Sequence, residues 1–183
     1  MPLVLYRFLC LVSFSYASAT FHFPELKPEL EKYQDGSEVY PLTEPFYELY
    51  RNYEEDPFLG TAKCVKFSQV GPEEDRGYPI LAQWGEDNQS MIAYAKLESS
   101  EGYTAKNMVV YAVEGVDGSL PLYVTFLEVG NCGIIRNAYV NEDSCCVVVP
   151  ESHLGQETVI CDFVYDLLCG SYKYQLYDES CKW

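Results

Sequence analysis

The stretch from Cys161 to Cys181, CDFVYDLLCGSYKYQLYDESC, constrains this chain more than any other, because it holds three cysteines on what reads as one helix and its tail. Ile160, Phe163, Val164, Leu167 and Leu168 recur at i, i+3, i+4, i+7 and i+8, an apolar stripe along a helix. Gly170 follows where a left-handed cap is wanted. Such a helix must lie on something. Cys161 and Cys169 run two turns apart along the edge of the stripe, so disulfides from them would fasten the helix to what it covers, and Cys181 would tie down the tail. The rest of the chain is expected to be a body with matching cysteines.

The first nineteen residues read as a secretory signal peptide: Arg7 sits among apolar residues from Leu3 to Phe14, and Ala17-Ser18-Ala19 is a small-x-small cleavage site. The apolar run is shorter than the roughly 20 residues a bilayer crossing needs. Cys10 leaves with this leader, and residues 20–183 form one domain's worth of chain. Loss of Arg7 leaves 11 Lys and Arg against 28 Asp and Glu, a net charge of about −17. That balance argues against nucleic acid and anionic membrane surfaces as partners and would welcome a cationic ligand or protein surface. Seventeen Tyr and nine Phe suit either a sheet core or an aromatic-lined cavity.

Residues 25–35, with Leu26, Leu30 and Tyr33 near helical spacing, predict a short amphipathic helix ended by Asp35-Gly36. Eight β-rich segments follow at 46–53, 61–70, 78–84, 90–97, 106–114, 122–129, 133–140 and 144–149, separated by turn signals such as Asp56-Pro57, Gly71-Pro72 and Gly130-Asn131. Connections this short forbid parallel crossovers. Eight consecutive antiparallel strands and one helix predict an up-and-down barrel, which closes its own edges and encloses one small ligand. An immunoglobulin-like sandwich is the alternative, but its Cys and Trp spacing is absent. Asn88-Gln89-Ser90 is a glycosylation sequon in a predicted turn.

Nothing points to catalysis. A Ser or Cys nucleophile needs a base, and the two histidines, His22 and His153, stand in no recognisable motif. Zinc favours spaced Cys and His pairs, whereas Cys145 and Cys146 are adjacent. The expectation is a binding protein without metal or cofactor. Seven cysteines remain after the leader, allowing three bridges, one leftover thiol and 105 possible pairings.

The blocks EPFYELYRNYEEDPFLGTAKC, GNCGII, CCVVVPESHLG, CDFVYDLLC and YQLYDESC resemble the tick salivary lipocalins of the histamine-binding protein family across nearly all of the mature chain. The resemblance implies a lipocalin barrel, eight antiparallel strands with a short N-terminal helix and a disulfide-clamped C-terminal helix. It pairs Cys64 with Cys181 and Cys132 with Cys161, and joins Cys169 to Cys145 or Cys146. Neighbours along a strand face opposite sides, so only one of Cys145 and Cys146 can meet a helix outside the barrel. The family pattern places cavity residues on the Cys146 face, which assigns Cys145 to the bridge and leaves Cys146 as a thiol facing the pocket.

The implied function is sequestration of a small host mediator during blood feeding, histamine or another biogenic amine. An apolar eicosanoid or fatty acid, or a host immune or complement protein bound at the surface, is the alternative, and the protein is expected to be a monomer. Carried over by the resemblance, the ligand-binding positions are Tyr53, Asp56 and Tyr111, with Cys146 and Val148 at the last strand. The departures are Leu59 for a tryptophan, Lys96 for a glutamate, Gly133 for an aspartate, and Cys146-Val147-Val148 for Glu-Leu-Trp. These departures favour a less cationic ligand than the family's amine binders accept, because Lys96 replaces an acid and Val148 replaces an aromatic.

Overall fold

The computed structural model describes residues 23–181; the predicted leader lies outside them. Eight antiparallel staves run β1 Phe46–Arg51, β2 Lys66–Gln69, β3 Tyr78–Trp84, β4 Gln89–Glu98, β5 Met108–Val113, β6 Leu120–Glu128, β7 Cys132–Arg136 and β8 Cys145–Pro150. Each pairs with the next, and β1 pairs with both β8 and β2, so the sheet closes on itself. β3 matches its sequence expectation residue for residue. The expected strand at 61–70 shortens to four residues.

β1 meets β2 only through Phe46 and Tyr47. Its other half, Tyr50 and Arg51, pairs with a ninth strand, β9, at Tyr174–Gln175. The backbone N–H of Cys64 donates to Leu176 O at 2.7 Å, and the Cys64–Cys181 disulfide anchors the same tail. The tail is therefore part of the barrel wall, because it supplies backbone partners where two staves splay apart. Two residues are too few for a periodic signal.

The predicted helix at 25–35 is a 3-10 helix, Pro28–Tyr33, with none of its residues buried. Tyr33 tilts against Phe126 of β6 with ring centroids 6.1 Å apart, and Gln34 holds the segment in place. The Gln34 amide donates to Glu25 O and Thr125 O and accepts from the Tyr103 hydroxyl. Gly36 N then donates to Lys106 O at 2.9 Å, an approach so close that an added Cβ would sit 3.0 Å from that oxygen.

The helix α1, Val159–Leu168, lies outside the barrel. Its buried line is Cys161 and Tyr165, continued by the partly buried Cys169. The apolar stripe read from the sequence does not face the body: Ile160, Phe163 and Leu167 are exposed, the last two at 63 % and 66 %, while Val164 and Leu168 are half-buried. Bridges Cys132–Cys161 and Cys145–Cys169 fix the face at i and i+8, and Tyr165 at i+4 packs edge-on against Tyr50 with centroids 4.9 Å apart. Covalent attachment has set the rotation of the helix against its hydrophobic pattern. Gly170 takes φ +86 just past the helix, as its position predicts.

Candidate ligand-binding site

The inward faces of the staves enclose a cavity of ≈ 160 Å³. Its wall is largely aliphatic and aromatic: Ile80, Ala82 and Met91 from β3 and β4, Val109 and Val124 from β5 and β6, and Phe58 and Leu59 from the loop after β1. Strand alternation explains which residues of β8 reach it. Cys145, Val147 and Val149 pack outward beneath α1, whereas Cys146 and Val148 line the cavity. All three bridges form as the family pattern implies, and Cys146 is a buried free thiol.

One sector of the wall is polar. Glu48 of β1, Cys146 of β8, and Asn137 and Tyr139 of the loop before β8 all line the cavity. Behind them stand Tyr53, Asp56 and Arg51. Alternation along β1 would put Phe46 and Glu48 on the face opposite Tyr47 and Arg51. A bulge between Glu48 and Tyr50 breaks the register, so Tyr50 turns out to meet Tyr165 while Arg51 is fully buried. Glu48 is the acid that sequence reasoning missed, and neither spacing nor family pattern marks it.

Asp56 is saturated. Its Oδ1 accepts from Phe58 N at 2.8 Å and Leu59 N at 3.1 Å, closing a turn, and its Oδ2 accepts from the hydroxyls of Tyr139 at 2.7 Å and Tyr53 at 3.4 Å. The Tyr53 hydroxyl accepts from Asn137 Nδ2 at 2.6 Å. Tyr53 and Asp56 thus join through hydrogen bonds to two cavity residues and do not themselves line the cavity. Tyr111 does line it, with its hydroxyl 2.9 Å from that of Tyr40. Burial pushes the phenols of Tyr40 and Tyr111 upward, so both stay neutral hydrogen-bonding groups.

The departures take on physical meaning here. Lys96 is exposed on a surface recess beside Glu73, Glu74 and Asp75 and puts no charge into the cavity, which removes the expectation built on it. Gly133 lines the cavity, but a Cβ there would come within 2.9 Å of Leu127 Cδ2, leaving no room for an acid without repacking. Leu59 is buried against the Trp84 and Leu176 cluster. Asn88 sits exposed in the β3–β4 turn with φ +51.

A sequence profile described as "Tick histamine binding protein" matches residues 24–183. The chain belongs to the tick histamine-binding protein family. Two solved lipocalin structures share the fold of this family member. Lobster apocrustacyanin A1 is similar at 13 % identity with a TM-score of 0.53, covering 85 % of this chain and 89 % of that one. Apocrustacyanin C2 is similar at 12 % identity with a TM-score of 0.50, covering 75 % and 78 %. No curated protein matches the chain. At these identities the likeness extends to the fold alone, and the family membership makes this a ligand-binding lipocalin.

Proposed function

We propose that the protein is secreted and withholds a small biogenic amine, histamine or a relative of it, inside the barrel, blunting the response of a host during feeding. The observation that carries this is the chemistry of the lining: its polar groups are carboxylates, hydroxyls, amides and a thiol, and among the described residues none of the lining side chains is basic. An ammonium ligand needs an anion to offset its desolvation and aromatic faces around it, both of which the cavity offers. A fatty acid would bring a carboxylate to Glu48 with no cation on the wall to receive it. The volume of ≈ 160 Å³ also suits a compact ligand better than an extended lipid, since it lies below the range of about 300 to 1,000 Å³ usual for drug-sized ligands.

Isothermal titration calorimetry of the secreted protein with histamine, serotonin and an arachidonate-derived mediator tests this. Saturable binding of an amine is expected. Binding of the lipid mediator with no response to either amine would overturn it.

A further inference from the structure

Glu48 is 3 % exposed, lines the cavity, and has a buried Oε2 without a hydrogen-bond partner. Its carboxylate makes no ion pair among the described residues. Arg51, whose charge acts on Glu48, forms no ion pair with it: Nε donates to Tyr53 O at 3.1 Å, Nη2 donates to Glu54 O at 2.7 Å and Gly60 O at 2.8 Å, and the buried Nη1 has no hydrogen-bond partner. The other acids of the region hold hydrogen-bond partners. Asp56 accepts four hydrogen bonds, and Glu128, half-buried at the β6–β7 turn, accepts from Asn131 Nδ2 at 2.9 Å. A buried carboxylate on a cavity wall with one oxygen unpartnered is costly unless a partner arrives.

We propose that Glu48 is the counter-ion that receives the ammonium group of the captured ligand, and that this ligand is a monocation with an apolar body. This rests on the amine-binding function proposed above and deepens it. One unsatisfied carboxylate neutralises one charge. The other carboxylate of the lining, Glu128, already accepts from Asn131 and has no buried unpartnered oxygen, so a second cationic group on the same ligand would meet no comparable partner.

Capture is then coupled to a proton. Burial pushes the Glu48 carboxyl up to about 7, against the opposing influence of the Arg51 charge and the Cys146 thiol, with Asp56 adding to the rise. The titratable groups around it are Arg51 and Tyr53 at the end of β1, Asp56 in the next loop, Tyr139 before β8, Cys146 on β8 and Tyr165 on α1. Near neutral pH the empty site holds its proton for part of the time, and an entering ammonium expels it. Amine affinity therefore rises with pH, about tenfold per unit below pH 7, and levels off above it.

The test uses phenethylamine and its neutral isostere 2-phenylethanol on the full secreted protein and on Glu48→Gln. Phenethylamine should bind the wild type, lose affinity by about tenfold or more in the variant at pH 8, and release a proton at pH 7 that calorimetry detects as a dependence on buffer ionisation heat. The alcohol should bind both proteins alike, which also verifies that the variant is folded. Equal phenethylamine affinity in the two proteins would overturn the role of Glu48 and leave the amine-binding function standing. Failure of phenethylamine, histamine and serotonin alike to bind the wild type would overturn both. Should the variant not fold, the buffer dependence of the wild type decides alone: no proton released at pH 7 sinks the proposal.

Discussion

Cys145 is bonded to Cys169 on the outer wall of the barrel, while Cys146, its immediate neighbour, points into the cavity as a free thiol among Glu48 and Asn137. The two share a strand, and the pleat separates them to opposite faces. Burial first, then the adjacent Glu48 carboxylate, push the Cys146 thiol well above its ordinary range. A thiol held in that form is a poor nucleophile. Maleimide should label the folded protein slowly and only at Cys146, and a cavity ligand should slow it further. Rapid labelling, or label found at Cys145, would contradict this geometry.

The Cys64–Cys181 bridge spans 117 residues and holds β9 against β1. By chain entropy it contributes about 5 kcal/mol. Replacing both cysteines by serine should lower urea-unfolding stability by up to that amount and expose the Leu176 amide, which donates to Leu49 O, to fast hydrogen exchange. Unchanged protection at Leu176 would mean that β9 holds without the bridge.

On α1 two aromatic residues should behave oppositely. Phe163 is 63 % exposed, so Phe163→Ser should change stability by no more than about 0.5 kcal/mol. Tyr165 is fully buried against Tyr50 and donates to Tyr172 O at 3.1 Å; Tyr165→Ala should cost about 3 to 5 kcal/mol. Equilibrium denaturation of both variants checks the assignment of faces.

Empty protein should lose stability as pH rises through the range in which Glu48 ionises. Its ordinary value is 4.5 and burial raises it to about 7, so the folded state binds the extra proton. The contribution is fully present below about 4.5 and is lost by about 7, on the order of 3 kcal/mol. The variant Glu48→Gln should flatten this part of the thermal-denaturation profile, and an unchanged slope would place the effect on another group.

Asp56 supplies charge one layer behind the wall, through the Tyr139 and Tyr53 hydroxyls. Asp56→Asn keeps the size but removes the charge and one acceptor, and amine affinity should fall by on the order of 1 to 3 kcal/mol. Calorimetry with histamine and serotonin decides whether this second layer matters to binding.

The sequence by itself determined the staves, since alternating β-rich segments with short turns have few ways to close, and through family resemblance it determined the pairing of all six bridged cysteines. Period-two alternation along β8 put Cys146 and Val148 on one face, and the family pattern marked that face as the inner one, where both line the cavity. Three matters were decided only by tertiary structure. The rotation of α1 follows the bonds at Cys161 and Cys169, and covalent geometry outweighs the stripe that Ile160, Phe163 and Leu167 suggest. β9 exists because β1 and β2 part after Tyr47, a backbone vacancy that two residues fill without any pattern of their own. The polar sector of the cavity depends on the bulge after Glu48: a single extra residue changes which side chains of β1 face in, and Glu48 meets Cys146 from a strand about a hundred residues away. Local patterns record only a residue's sequence neighbours, so the one carboxylate left unsatisfied on the wall becomes visible once the barrel has closed around it.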